Sequence, residues 1–240
     1  TTGLVDASSK EWDKELINML GLPTDIFTQI SKPGRLLGKV KRAVASKIGY
    51  EPDVYMTASH DTASAILAVP NDDEEGAFYI SSGTWSLMGT ELMDPDLSEE
   101  GMKCNFTNEG GFAYRYRYLK NIMGLWMIQC VRNELAPNVS YDRIAEYASE
   151  SSIKSIVDVN DPRFLSPQSM VKEITSYCAE TGQQVPGDLA QTACVVYRSL
   201  AECYASTIRQ IESITGRKCN TMNIVGGGSN ADFLNRLTAM

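Results

Sequence analysis

The sequence predicts an α/β domain in which helices flank a mixed sheet, and three observations carry that expectation. Short apolar runs at residues 53–58, 77–80 and 221–225 alternate with stretches of helical periodicity, the pattern of strands layered between helices. One periodicity is long: Leu189, Ala193, Val196, Leu200, Cys203, Ile208, Ile211 and Ile214 recur almost wholly at intervals of three and four before Gly216. Finally, 240 residues of which 43% are hydrophobic are enough to bury a substantial core.

Taken in order, Ser8 with Glu11 reads as a capping box for a first helix through Trp12, Leu16, Met19 and Leu20, stopped by Gly21 and Pro23. A connector with Lys32-Pro33-Gly34 and the basic stretch Lys39-Val40-Lys41-Arg42 leads to residues 53–58, expected to be a buried strand. A change in composition here suggests a boundary between a leading segment, 1–50, and a main domain, 51–240. Ser59-His60-Asp61-Thr62 then caps a helix of small residues over 63–68. Residues 77–80 and 85–88 read as a hairpin around Ser81-Ser82-Gly83-Thr84.

Strands are expected near 104–107 and 112–118. A helix follows over 120–135, with Leu119, Ile122, Met123, Trp126 and Cys130 as its apolar stripe, so that Asn121 and Gln129 share one helix. Helices at 140–149, 167–181 and from 189 onward precede a buried strand at 221–225, a glycine triplet and a last helix. Neither end reads as a domain boundary, so a piece of a longer protein is expected.

Charge narrows the function. Lysine and arginine (22) are outnumbered by aspartate and glutamate (30), giving −8 with no long single-sign run, which argues against nucleic-acid and anionic-membrane surfaces. No apolar stretch approaches the roughly 18 residues of a membrane span, and residues 1–6 lack the pattern of a secretion signal, so a cytoplasmic protein is expected. Six cysteines without a C-x-x-C pair and a single histidine, His60, argue against zinc. The thiols read as small buried hydrophobes, with Cys178 and Cys194 flanking the 182–187 loop as the candidate pair for close approach.

Three places carry chemistry. Asp61 stands where a strand gives way to a helix, the position where open α/β sheets collect ligands; it is either an N-cap or a general base for an attacking hydroxyl. Ser81-Ser82-Gly83-Thr84 is either a plain tight turn or a cradle of N–H and hydroxyl groups for phosphate. Gly226-Gly227-Gly228 follows a strand and precedes a helix, so backbone can approach a ligand closely. A relaxed dinucleotide fingerprint also fits there, but the sequence ends within 15 residues and offers neither a following strand nor the acidic residue expected about 20 positions on, so a dehydrogenase is a poor reading.

In sequence, Ala58-Ser59-His60-Asp61-Thr62-Ala63-Ser64-Ala65, residues 81–89 and Asn108-Glu109-Gly110-Gly111, extended by residues 115–126 and 225–230, resemble the FGGY family of carbohydrate kinases over nearly the whole chain. The glycine triplet is the least specific of these matches, being shared by many actin-like ATPases. The resemblance implies two actin-like (ribonuclease H-like) domains closing over a cleft. It also implies ATP, Mg²⁺ and transfer of the γ-phosphoryl group to the 1-hydroxyl of a ketose, with L-rhamnulose as the favoured sugar. By position, Asp61 resembles the family's catalytic base, with His60 and Thr62 beside it and Asn121 as a further sugar contact. Gly83 and Thr84 resemble its phosphate loop, Gln129 a nucleotide contact and Gly227 an adenosine-loop glycine.

On this likeness residues 1–50 are the tail of an N-terminal kinase domain with a connector, and 51–240 are an actin-like C-terminal domain incomplete at its C-terminus, the fold as a whole being truncated at both ends. The missing N-terminal domain is then the chain's main partner, and the isolated piece is not expected to transfer phosphate. A kinase for another ketose or polyol, and a non-catalytic actin-like nucleotide-binding module, are the alternatives; the presence of Asp61 speaks against the second.

Overall fold

The computed structural model describes residues 2–58, 61–70 and 77–240. Residues 5–12 do not begin a helix but form a loop closed by a Val5–Trp12 bridge. Trp12 instead packs on Phe27, ring centroids 5.0 Å apart, and its indole N–H donates to the Thr28 carbonyl. Helix α1 (Lys14–Met19) is capped by Asp13, whose carboxylate accepts the Leu16 N–H, so Asp13 takes the role expected of Ser8. Strand β1 (Leu36–Lys39), helix α2 (Arg42–Ile48), closed by Gly49 at φ 84°, and strand β2 (Asp53–Tyr55) follow. β1 and β2 form an antiparallel pair tied at one end by an exposed Lys39–Asp53 bridge. β2 is exposed throughout, against the expectation of a buried strand. Apolar composition signals a strand, but a two-stranded sheet has too few neighbours to bury it.

Helix α3 (Asp61–Leu67) turns Ala63 and Ile66 inward. The expected hairpin is present as β3 (Phe78–Ser82) and β4 (Trp85–Leu92). Helix α4 (Glu99–Lys103) starts on Ser98 and ends at Cys104, where a strand was expected; the strand β5 (Thr107–Gly110) comes later. Strand β6 spans Tyr116–Met123 and helix α5 spans Trp126–Leu135. The expected single helix over 120–135 is therefore half strand. Leu119, Ile122, Met123 and Trp126 mimic helical spacing, yet β6 is buried on both faces in its first half, which removes the alternation that marks a strand.

Capped helices α6 (Tyr141–Glu150, on Ser140), α7 (Met170–Glu180, on Ser169) and α8 (Leu189–Thr215, on Asp188) follow, and Gly216 closes α8 at φ 72°. Strand β7 (Met222–Val225), a 3-10 turn (Gly227–Asn230) and helix α9 (Asp232–Thr238) complete the chain.

The main sheet runs in the order β5-β6-β4-β3-β7, with β5 and β6 antiparallel and β3 and β7 parallel. One compact unit comprises Thr1–Ala77 and Thr90–Leu119, the other Phe78–Gly89 and Lys120–Met240. In the first, Arg117 of β6 is buried and its guanidinium donates to Glu109 of β5 at 2.6 Å. In the second, Ile80, Met88, Ile122, Met127, Ile144 and Leu200 belong to one apolar cluster. Cys178 and Cys194 are both buried in it as free thiols, not a disulfide, and burial pushes both thiols up.

Residues 151–159 of the second unit alternate buried and exposed like a strand but, among the described residues, pair with none. Side chains hold this stretch. Ser199 accepts the Val157 N–H, the Gln183 amide bonds both the N–H and the carbonyl of Ile156, and Ser155 donates to the Gln184 carbonyl.

Candidate functional site

In the second unit, parallel pairing places Ser81 of β3 opposite Val225 of β7, so the loops leaving both strands emerge side by side at their carboxyl ends. One loop is the Gly83-Thr84 turn. The Gly83 N–H closes the turn on the Trp85 carbonyl at 2.9 Å, so the donors left for a ligand belong to Thr84, which is exposed. The other loop is Gly226-Gly227-Gly228. Gly226 adopts φ 85°, and a side chain there would lie 2.7 Å from the Ser82 carbonyl oxygen. At Gly228 it would lie 1.9 Å from Ser82 Oγ, while at Gly227 it would meet nothing within 4 Å. Gly226 and Gly228 thus let the loop lie against the end of β3, and Gly227 stays open to approach. The first N–H groups of the 3-10 turn that begins at Gly227 have no acceptor inside it.

A third element joins them. The Leu125 N–H donates to the Gly83 carbonyl and the Trp126 N–H to the Thr84 carbonyl, tying the start of α5 to the turn. Gly124 makes this closeness feasible, because a Cβ there would lie 2.7 Å from Gly83 O, Ser86 N and Trp85 C. Gln129 lies one turn into α5 and is half-buried; Asn121 is exposed on β6. The expectation that Asn121 and Gln129 share a helix is thereby corrected: they flank Gly124 on a strand and a helix. Below the turn, Ser86 and Tyr204 share a buried hydrogen bond of 2.6 Å. Burial pushes the Tyr204 hydroxyl up to about 12, with the Ser86 and Ser82 hydroxyls pulling the other way.

In the first unit, Asp61 opens α3 and is exposed. Its carboxylate accepts the N–H of Thr62 at 2.7 Å, and the Thr62 hydroxyl is 3.5 Å away. The carboxylate thus lies against the first turn of α3, oriented by the Thr62 N–H. His60 lies outside the described residues. Sequence reasoning singled out Gly83, Thr84 and Gly227, which the fold brings together. It missed Gly124 and the separate duties of Gly226 and Gly228; a glycine between a strand-like and a helix-like run was the available sign at 124.

Turns presenting open backbone at the carboxyl ends of parallel strands are the place where α/β proteins collect ligands. The model of the FGGY family of carbohydrate kinases, C-terminal domain, matches residues 78–240, and the chain belongs to that family. It is 46% identical over 239 residues to a protein named rhamnulokinase from Halalkalibacterium halodurans and 39% identical over 241 residues to the rhamnulokinase of Bacillus subtilis. Each match covers all of this chain but 51% and 50% of the relative, so the chain spans about half the length of these curated relatives. A ligand-bound xylulose kinase from Lactobacillus acidophilus has the same fold, with TM-score 0.70 at 16% identity over 99% of this chain and 48% of that one. Plasmodium falciparum glycerol kinase with ADP gives 0.65 at 12% identity, over 98% and 47%. The fold is the actin-like ATPase fold of the sugar kinases, as the sequence implied.

Proposed function

We propose that this chain is the C-terminal half of a rhamnulokinase, transferring the γ-phosphoryl group of ATP to the 1-hydroxyl of L-rhamnulose to give L-rhamnulose 1-phosphate. The observation that carries the reading is the convergence of the Gly83-Thr84 turn, the open Gly227 and the start of α5, in a chain matched along its whole length by rhamnulokinases. Phosphoryl transfer asks little covalent chemistry of a protein; positioning and charge stabilisation do most of the work.

In this reading Asp61, oriented by the Thr62 N–H, accepts the proton of the sugar hydroxyl as it attacks phosphorus. His60, Thr62 and Asn121 hold the sugar. The N–H and hydroxyl of Thr84 bond the phosphate oxygens, Gln129 contacts the nucleotide, and the nucleotide lies over Gly227, where no side chain intervenes. Mg²⁺, when bound, neutralises charge on the transferred phosphate; phosphate oxygens and water supply most of its ligands. Among the described residues no group of three acidic, histidine or cysteine side chains would hold the ion alone. The remaining half of the protein supplies the facing wall of the cleft, with residues 1–50 as the tail of that N-terminal domain and its connector, and 51–240 as the C-terminal domain. Among the described residues no helix is long and apolar enough to cross a membrane, and the reading places the enzyme in the cytoplasm.

A coupled ADP-release assay on the full-length protein across a panel of ketoses and polyols tests this. L-rhamnulose should give the highest kcat/KM, and preference for another sugar would reassign the substrate.

A further inference from the structure

The Gly83-Thr84 turn rests on a buried polar pair that the proposed chemistry does not use. Ser86 and Tyr204 are 0% and 1% exposed, and their hydroxyls lie 2.6 Å apart across 118 residues of sequence. Their neighbours along β4 and α8, Met88 and Leu200, are apolar and fully buried. An alanine and a phenylalanine would fill much the same space with no polar group to satisfy, so what the hydroxyl pair adds is direction: one strand height relative to one helix.

Ser86 is also gripped from a second side. Its backbone nitrogen is one of the atoms that a Cβ on Gly124 would strike, and the residues after Gly124 donate to the Gly83 and Thr84 carbonyls. The turn is therefore located by α5 from one direction and by α8, through Tyr204, from another. α8 suits such a role, being 27 residues long and anchored again near its far end, where Gln210 accepts a bond from Lys120 of β6.

We propose that Tyr204 is a positioning residue that acts through Ser86 to fix the Gly83-Thr84 turn against the nucleotide phosphates. The proposal rests on the ATP-dependent kinase reading and assigns a residue within its nucleotide site. Removing the tyrosine hydroxyl keeps the ring but leaves Ser86 Oγ buried without its partner, so the first residues of β4 settle elsewhere and carry Thr84 with them. Nucleotide binding suffers, whereas groups outside this turn that hold the sugar do not.

The test uses the full-length protein as Tyr204→Phe, Ser86→Ala and the double variant, with steady-state kinetics, calorimetric ADP titration and melting temperature measured together. The KM for ATP and the Kd for ADP should rise roughly tenfold in each single variant while the sugar KM stays within about twofold. The double variant should be no worse than either single one, since the second change removes a bond already lost. A lower melting temperature with unchanged kinetics would make the pair structural only and overturn the proposal, as would equal rises in both KM values. Wild-type protein that binds no ADP would remove the kinase reading itself, and this assignment with it.

Discussion

Gly227 and Gly228 are neighbours in sequence, yet substituting each by alanine should have opposite consequences. A methyl group on Gly228 would sit 1.9 Å from Ser82 Oγ and 2.5 Å from Ser82 Cβ, and Ser82 is itself buried at the end of β3. Neither partner has room to retreat, and overpacking of this kind costs about 1–3 kcal/mol. At about 2–4 °C per kcal/mol for a domain of 150–250 residues, Gly228→Ala should lower the melting temperature by roughly 2–12 °C. On Gly227 the same methyl group meets no protein atom within 4 Å and the backbone is not left-handed, so the fold should tolerate it or gain a little from a stiffer unfolded chain. What it would meet is the nucleotide. Thermal unfolding and ADP titration on the full-length protein separate the two effects: Gly228→Ala loses stability, whereas Gly227→Ala keeps it and binds ADP at least roughly tenfold more weakly. Equal stability losses, or wild-type ADP affinity in Gly227→Ala, would refute the division of labour between these glycines.

Asp61→Asn should lower kcat by at least roughly 10²-fold with ADP affinity little changed, as expected for loss of a general base; near-normal turnover would return Asp61 to a helix-terminal role. Asn121→Ala should mainly raise the sugar KM and Gln129→Ala mainly the ATP KM, and identical effects on both substrates would mean that β6 and α5 support the site only by packing. Burial holds the Tyr204 and Tyr197 hydroxyls at about 12 instead of 10.0. Raised in the folded state, they contribute stability that is whole below pH 10 and lost as pH rises through about 12. Burial also pushes the Tyr118 hydroxyl up, so an alkaline absorbance titration should show Tyr118, Tyr197 and Tyr204 ionising only as the protein unfolds; ionisation of all tyrosines near 10 in folded protein would contradict it.

The helices from α6 onward were legible because their boundaries are written locally: Ser140, Ser169 and Asp188 each accept an N–H at a helix start, and Gly216 stops the longest one. The hairpin turn and glycine loop were legible for the same reason, as short-range backbone demands. Illegibility came from tertiary burial. β6 is apolar on both sides because the fold covers both, and its spacing into Trp126 imitates a helix. β2 looks like a core strand because only packing decides whether an apolar run is covered. Asp13 displaced Ser8 as a cap because the Val5–Trp12 bridge holds the preceding residues in a loop. The site followed suit: Gly83, Thr84 and Gly227 could be named from motifs, whereas Gly124 and the Ser86–Tyr204 pair depend on contacts between segments far apart in the chain.

Residues 151–159 reverse the usual relation between side-chain identity and structure. In a paired strand the backbone makes the bonds, and many side chains of suitable size are interchangeable. Here Ser199 and Gln183 from outside the stretch, and Ser155 within it, make them, so much of the constraint on sequence moves off the extended stretch and onto the residues that clasp it. Ser152 and Lys154 are free to drift in sequence, while Ser199, hidden in the middle of an otherwise uniform helix, is tied to its hydroxyl. A randomised library should therefore accept nearly anything at the exposed positions of the stretch and little besides serine at a site that periodicity alone would fill with alanine.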